Sequence, residues 1–165
     1  MKVLWAPWRM EYILSEKDGG CFLCDLVDAG PSVENLLLLR TERAMVLMNR
    51  FPYNNGHLLV APKVHTSGLS ELEPSVYYEA MELFRFGIDV LEEALAPEGF
   101  NAGLNLGKSA GAGLEDHVHW HIVPRWHGDT NFMPVVSDTR VIPEAIQETY
   151  NSLRPMFERY GEIRD

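Results

Sequence analysis

The stretch DHVHWHIVPRW (116–126) sets three histidines, His117, His119 and His121, in alternation with Val118, Trp120 and Ile122. It holds half of the chain's six histidines. Side chains on a strand alternate faces, so the three imidazoles share one face and the apolar residues share the other. Three uses compete: a solvated strand face, a metal chelate, or a nucleophile with helpers. The first is an unusual use of a scarce residue. Two alternate histidines can share a zinc ion, but a third strains the chelate. At a rise of ~3.3 Å per residue, His117 and His121 are anchored ~13 Å apart. Zinc–nitrogen bonds of about 2.0–2.1 Å require the ligand atoms to converge. A middle nucleophile with a helper on each side fits the strand better.

A second constellation is the pair Cys21 and Cys24, the only cysteines in the chain. Cysteines three apart make a poor structural staple, so CxxC points to metal binding or redox chemistry. No thioredoxin-like βαβ pattern surrounds it, which disfavours redox use. The glycine-rich run KSAGAGLED (108–116) stands just before the histidines, where small residues let backbone N–H groups approach an anion.

The elements that must position these residues follow from hydropathy and turn chemistry. Residues 36–40 and 44–49 read as strands around the short turn 41–43, and HLLVAP (57–62) as a third strand. Between them FPYNNG (51–56) is turn chemistry. From Pro74 to Leu95 apolar residues recur at helical spacing, and Pro97 and Gly99 end the helix. Residues 100–107 form a strand, 108–116 a loop, and the histidine strand stops at Pro124. A second helix spans 143–159, with Pro143 in its first turn and Pro155 inside it. Strands joined by short turns imply an antiparallel sheet, hence an α+β domain. The expected architecture is about five strands, one long helix and a C-terminal helix. A chain of 165 residues suits one domain, 1–165, with its core at about 20–130 and a C-terminal extension at 133–165.

Composition narrows the partners. A net charge of −10 argues against broad binding to a nucleic-acid backbone, but a small anionic ligand remains compatible with a local pocket. No apolar run approaches the ~20 residues of a membrane helix. The start, MKVLWAPWRMEYI, has prolines and charges where a signal peptide would be apolar, so a cytoplasmic protein is expected.

HVHWHIV resembles the motif of the histidine triad (HIT) family of nucleotide hydrolases and transferases. NGHLLVAPKVH (55–65) resembles that family's upstream strand, and NLGKSAGAG (105–113) occupies the place of its phosphate loop. The block 103–132, with LWAPWR (4–9), is similar to the bacterial branch that includes diadenosine tetraphosphate phosphorylases. The resemblance covers most of residues 4–132 and implies a HIT-like fold and a homodimer.

It also implies roles. His119 would be the nucleophile, forming a nucleotidyl-histidine intermediate. His121 would act on the phosphate and leaving-group side. His117 would support the site, braced by His57. Asn49 stands where relatives contact ribose. Asn105, Gly107, Lys108, Ser109, Gly111 and Gly113 would hold phosphate. Some bacterial relatives bind structural zinc through residues that correspond to Cys21, Cys24, His65 and His117; no organic cofactor is implied. There is one departure. Relatives carry Ser, Thr or Gln two to four residues before the first triad histidine, where this chain has Gly113, Leu114 and Glu115. The contact then falls to Ser109, Lys108 or the backbone, and Glu115 and Asp116 leave the leaving group open. The expected activity is cleavage at the α-phosphate of a dinucleoside polyphosphate, with water or phosphate as acceptor. Alternatives are an adenosine phosphoramidate hydrolase, a nucleotide-binding regulatory protein with little turnover, and a zinc-stabilised interaction module.

Overall fold

The runs AMVLM and LLVAP have no polar alternation, and the structure shows why. It is a computed structural model that describes residues 20–129 and 144–160. Five strands form one antiparallel sheet: β1 (Leu37–Arg40), β2 (Ala44–Met48), β3 (Leu58–Pro62), β4 (Gly99–Leu104) and β5 (Trp120–Arg125), in the order β1-β2-β3-β5-β4. β2 and β3 lie in the middle, and every residue of both is buried. A strand covered on both faces must be apolar on both, so alternation disappears.

On one face lies the long helix α2 (Pro74–Leu95), which follows the 3₁₀ turn Leu69–Glu71. Its buried residues Ala80, Leu83, Gly87, Val90 and Leu91 recur every three or four positions and meet Val46, Leu58, Val60, Trp120 and Ile122. Gly87 permits a close approach, since a Cβ there would lie 3.0 Å from Ile122 Cδ1. Helix α3 (Ile146–Glu158) joins the same core through Leu153 and Phe157. It is fastened to β1 by Tyr150 Oη donating to the Leu37 carbonyl at 2.9 Å and Arg154 donating to the Leu38 carbonyl at 3.0 Å. Pro155 lies on its exposed side, where water can serve the carbonyl that the missing N–H leaves unpaired. The other face carries a smaller cluster, Leu37, Met45, Leu47, Leu59 and Ala61, covered by the one-turn helix α1 (Phe22–Asp25) through Leu23.

Several expected boundaries shift. Leu36, read as the start of a strand, has φ +61 and closes a turn through its N–H to the Ser32 carbonyl. Asn49 and His57 flank their strands instead of ending them. Residues 105–107 leave β4 for the loop, and β5 runs past Pro124 to Arg125. The strand of histidines is shorter than its alternation implies, because regular pairing begins only at Trp120. The helix α1, too short for any period, carries the CxxC and was not expected. LWAPWR (4–9), residues 130–132, Pro143 and the extension at 133–143 and 161–165 lie outside the described residues. No helix of the described residues is long and apolar enough to cross a membrane.

The turn before β3 fixes the site and has little slack. Gly56 adopts φ +71, and a Cβ there would come within 2.5 Å of Leu95 Cδ1 and 3.2 Å of Leu91 Cδ2. Gly56→Ala should therefore destabilise the protein by about 1–3 kcal/mol. Gly30→Ala, with nothing within 4 Å, should change little. Urea unfolding of both variants checks this, and equal midpoints would mean that the Gly56 turn relaxes without cost.

Candidate active site

Antiparallel pairing of Leu58 with Ile122 and Leu59 with His121 brings the start of β3 against β5. His57, one residue ahead of β3 and buried, thereby meets His121: its Nε2 lies 2.9 Å from His121 Nδ1. The backbone decides where the protons sit. The Tyr53 N–H can only donate, and it reaches His57 Nδ1 at 3.1 Å. His57 Nδ1 is thus an acceptor, and the neutral ring carries its proton on Nε2. That proton goes to His121 Nδ1, so a neutral His121 carries its own proton on Nε2.

Asn49 supports the same arrangement. Its Oδ1 accepts from the Phe51 N–H at 2.9 Å, which turns the amide nitrogen toward His57 Nδ1 at 3.3 Å. One amide hydrogen and one lone pair of Asn49 are thereby engaged inside the turn. The exposed ring of Tyr53 lies over His57 and His121, at centroid distances of 4.8 and 6.0 Å.

His119 is set the opposite way. Its Nδ1 lies 2.8 Å from the His117 carbonyl, which can only accept. The proton is therefore on Nδ1, and Nε2 carries a lone pair. The His119 ring sits 4.9 Å from that of His121. Burial lowers the pKa of His119, against an opposing contribution from the carbonyl bond. His121 is pushed down to about 4, by burial first and by the neighbouring His119 second. Near neutral pH the pair thus offers a lone pair at one ring and an N–H at the other, without formal charge.

His117 does not share this space. It is fully buried, and its Nε2–H donates to the Pro62 carbonyl at 2.8 Å. The lone pair on Nδ1 then faces Cys21 Sγ at 3.3 Å and Cys24 Sγ at 3.6 Å. Cys24 Sγ is also 3.2 Å from His65 Nδ1. The four donor atoms lie within 4.8 Å of one another. In a tetrahedral site with Zn–S of about 2.3 Å and Zn–N of about 2.0–2.1 Å, sulfur and nitrogen ligands are about 3.5 Å apart. The set has the composition and spacing of a closed zinc site, with a carbonyl orienting one of its histidines. Burial, then the adjacent Cys21, raises the Cys24 thiol above its ordinary value, and burial lowers His117. Sequence alternation had put His117 beside His119 and His121. The structure divides them, because residues 117–119 precede the ladder and His117 turns toward α1; His57, expected to brace His117, braces His121 instead.

The loop from β4 to β5 contains the remaining residues of interest. Gly107 and Gly111 have φ of +75 and +83, bracketing the 3₁₀ turn Lys108–Ala110. The N–H groups of Ala110 and Gly111 turn inward, to the Gly107 and Lys108 carbonyls. Lys108 and Ser109 project outward, as do Glu115 and Asp116, while Asn105 and Gly113 are half-buried. Two participants left no mark in the sequence, the Tyr53 N–H and the Pro62 carbonyl. Backbone groups have no side-chain signature, and only the turn composition of FPYNNG marked the place.

Residues 23–128 match the HIT domain family. The chain is 35% identical over 154 residues to an AP-4-A phosphorylase of Mycobacterium tuberculosis, an alignment covering 88% of this chain and 79% of that one. It is 29% identical over 105 residues to the adenosine 5'-monophosphoramidase hnt1 of Schizosaccharomyces pombe, covering 64% and 74% of the two chains. Its fold matches that of a Zn-bound histidine triad family protein from Mycobacterium smegmatis with a TM-score of 0.66, at 23% identity over 87% of this chain and 97% of that one. With its three alternating histidines inside the matched segment, the chain belongs to the HIT domain family.

Proposed function

We propose that this protein transfers a nucleotidyl group from a dinucleoside polyphosphate, such as diadenosine tetraphosphate, by way of His119. The observation that carries this reading is the opposed protonation of neighbouring rings, with a lone pair on His119 Nε2 and an N–H on His121 Nε2. In the first step His119 Nε2 attacks the α-phosphorus. The bond to the bridging oxygen breaks, its electron pair leaves with the β-phosphate, and the His121 N–H hydrogen-bonds to that oxygen. In the second step an oxygen of water or of inorganic phosphate attacks the same phosphorus, and the P–N electron pair returns to His119. With phosphate as acceptor, diadenosine tetraphosphate gives ADP and ATP; with water it gives AMP and ATP.

The 35% identity to the AP-4-A phosphorylase supports the substrate class. The likeness to hnt1 supports a second reading, an adenosine phosphoramidate hydrolase using the same two histidines. In either reading Lys108 and Ser109 hold phosphate, aided by Asn105, Gly107 and Gly113, while Gly111, whose N–H is spent on the Lys108 carbonyl, serves to turn the loop. Asn49 directs the half of its amide left outside the turn to a ribose diol. A homodimer and a cytoplasmic location accompany this reading. We assign zinc to Cys21, Cys24, His65 and His117. There it would tie α1 to the end of β3 and leave no open coordination position for substrate.

One assay series tests the reaction. Wild type should turn over diadenosine tetraphosphate, and His119→Ala should lose at least about a thousandfold in kcat. His121→Ala should lose about a hundredfold, the scale of a lost proton or hydrogen-bond donor. Products resolved with and without phosphate identify the acceptor. Turnover of adenosine phosphoramidate alone would favour the second reading, and nucleotide binding without any turnover would defeat both. For the metal, purified wild type should contain about one zinc per chain and Cys24→Ser much less; wild type without zinc would remove the assignment.

The depressed pKa of His121 also bears on stability. The unfolded ring titrates near 6.5 and the folded ring at about 4, so between these values the unfolded chain binds more protons. Stability is therefore full above about pH 6.5 and falls as the pH drops toward 4, by about 3 kcal/mol from this residue. His119, which faces it, is lowered by burial too and acts in the same direction. Unfolding midpoints at pH 7.5 and 5 should differ less in His121→Gln than in wild type; an equal difference would remove His121 as the source.

A further inference from the structure

One residue joins the two constellations. His117 places its ring among Cys21, Cys24 and His65, and its carbonyl against His119 Nδ1. The backbone between them is not held by the sheet. The β3–β5 ladder ends at Val60↔Trp120, although β3 continues to Pro62. Beyond it, the Val118 N–H donates to the Thr66 carbonyl at 2.7 Å, and His117 meets β3 through its ring, which donates to the Pro62 carbonyl. A side chain thus stands where a ladder bond would be. Its other nitrogen ends at two thiols, which are weak hydrogen-bonding partners on their own and strong anchors once they share a cation with the imidazole.

We propose that His117 is the positioning residue for the nucleophile, and that the Cys21–Cys24–His65–His117 set, by holding zinc, fixes the carbonyl that orients His119. The inference rests on the zinc and His119 readings above and goes beyond both. It makes the metal cluster a determinant of how well the nucleophile is aimed, not merely a tie between α1 and the sheet. The carbonyl bond fixes the reacting nitrogen without touching substrate, so the effect belongs in kcat and not in KM.

The test compares full-length wild type as purified, after chelation and after zinc is restored, with Cys24→Ser and with His65→Ala. His65 is exposed, so its removal leaves the buried core untouched. Two readouts are taken: the imidazole N–H signal of His119 by ¹H–¹⁵N NMR, assigned by its loss in His119→Ala, and kcat and KM. In the zinc-loaded protein the His119 Nδ1–H should be sharp and protected from exchange. Chelation or Cys24→Ser should broaden it and lower kcat about 10–100-fold, with KM held within about threefold. Added zinc should restore the chelated wild type but not Cys24→Ser. A chelated protein that stays folded by circular dichroism, with the signal sharp and kcat unchanged, would overturn the proposal; so would a chain that takes up no zinc. If chelation unfolds the protein, His65→Ala decides: a sharp signal and full kcat despite lost zinc would overturn it. If wild type turns over no nucleotide, the NMR readout still decides, which separates failure of this inference from failure of the proposed activity.

Discussion

Three backbone groups of fixed polarity govern this site. The Tyr53 N–H, the Pro62 carbonyl and the His117 carbonyl each address one imidazole nitrogen. A free imidazole changes tautomer readily, but a buried one that turned its wrong nitrogen to these groups would leave a donor or acceptor unpaired, at about 1–3 kcal/mol. With the tautomers of His57, His117 and His119 fixed, that of His121 follows through its bond to His57. Each ring then presents one defined nitrogen, a lone pair toward the thiols at His117, a lone pair at His119 and an N–H at His121. Three residues of one type acquire three chemistries, two directly from backbone neighbours and the third through His57.

The fold exists, in this sense, to deliver those backbone groups. The β2–β3 turn must place the Tyr53 N–H under His57, and it is pinned from several sides. Asn49 N–H donates to the His57 carbonyl, while Asn54 Nδ2 donates to the Pro124 carbonyl and to Asp129, itself paired with Arg125. The positive φ of Gly56 lets the turn close against Leu91 and Leu95 of α2. The long helix therefore supports the site without contributing a residue to it, by backing the strands and the turn that carry the histidines.

This division explains which parts could be read from the sequence. α2 was legible to its ends because Pro74 and Pro97 bracket an apolar period set by packing on one face. β2 and β3 were legible as apolar runs, since burial on both faces leaves a composition signal. The donors Cys21, Cys24, His65 and His117 came from resemblance, and their convergence needed coordinates, because it depends on α1 and on the loop after Pro62. The start of β5 was misjudged for a physical reason. Alternation reports how side chains would point if a strand were there, whereas the β3–β5 ladder stops at Trp120 even though β3 runs on to Pro62. His117 alternates in sequence, yet it bonds to β3 through its ring. Likewise Leu36 looks like strand and adopts φ +61, a conformation that hydropathy does not encode.

The charge of the chain raises a last point. A protein of net charge −10 whose proposed ligand is a polyphosphate gains nothing from long-range attraction. Glu115 and Asp116, exposed just before the histidines, oppose it further. Burial keeps His119 and His121 neutral, so these two rings would meet a phosphate without charge, and Lys108 would be the cation of the proposed site. On the rings, charge would appear only as the proposed reaction proceeds. In the proposed first step, positive charge would develop on the His119 ring, and the bond from Nδ1–H to the His117 carbonyl would become charge-assisted and roughly twice as strong. That gain would be absent while substrate is merely bound, so in the proposed reaction it would lower the barrier instead of deepening the bound state. On the proposed reading, a site built this way would bind an anionic substrate modestly and favour the step in which the nucleotide changes hands.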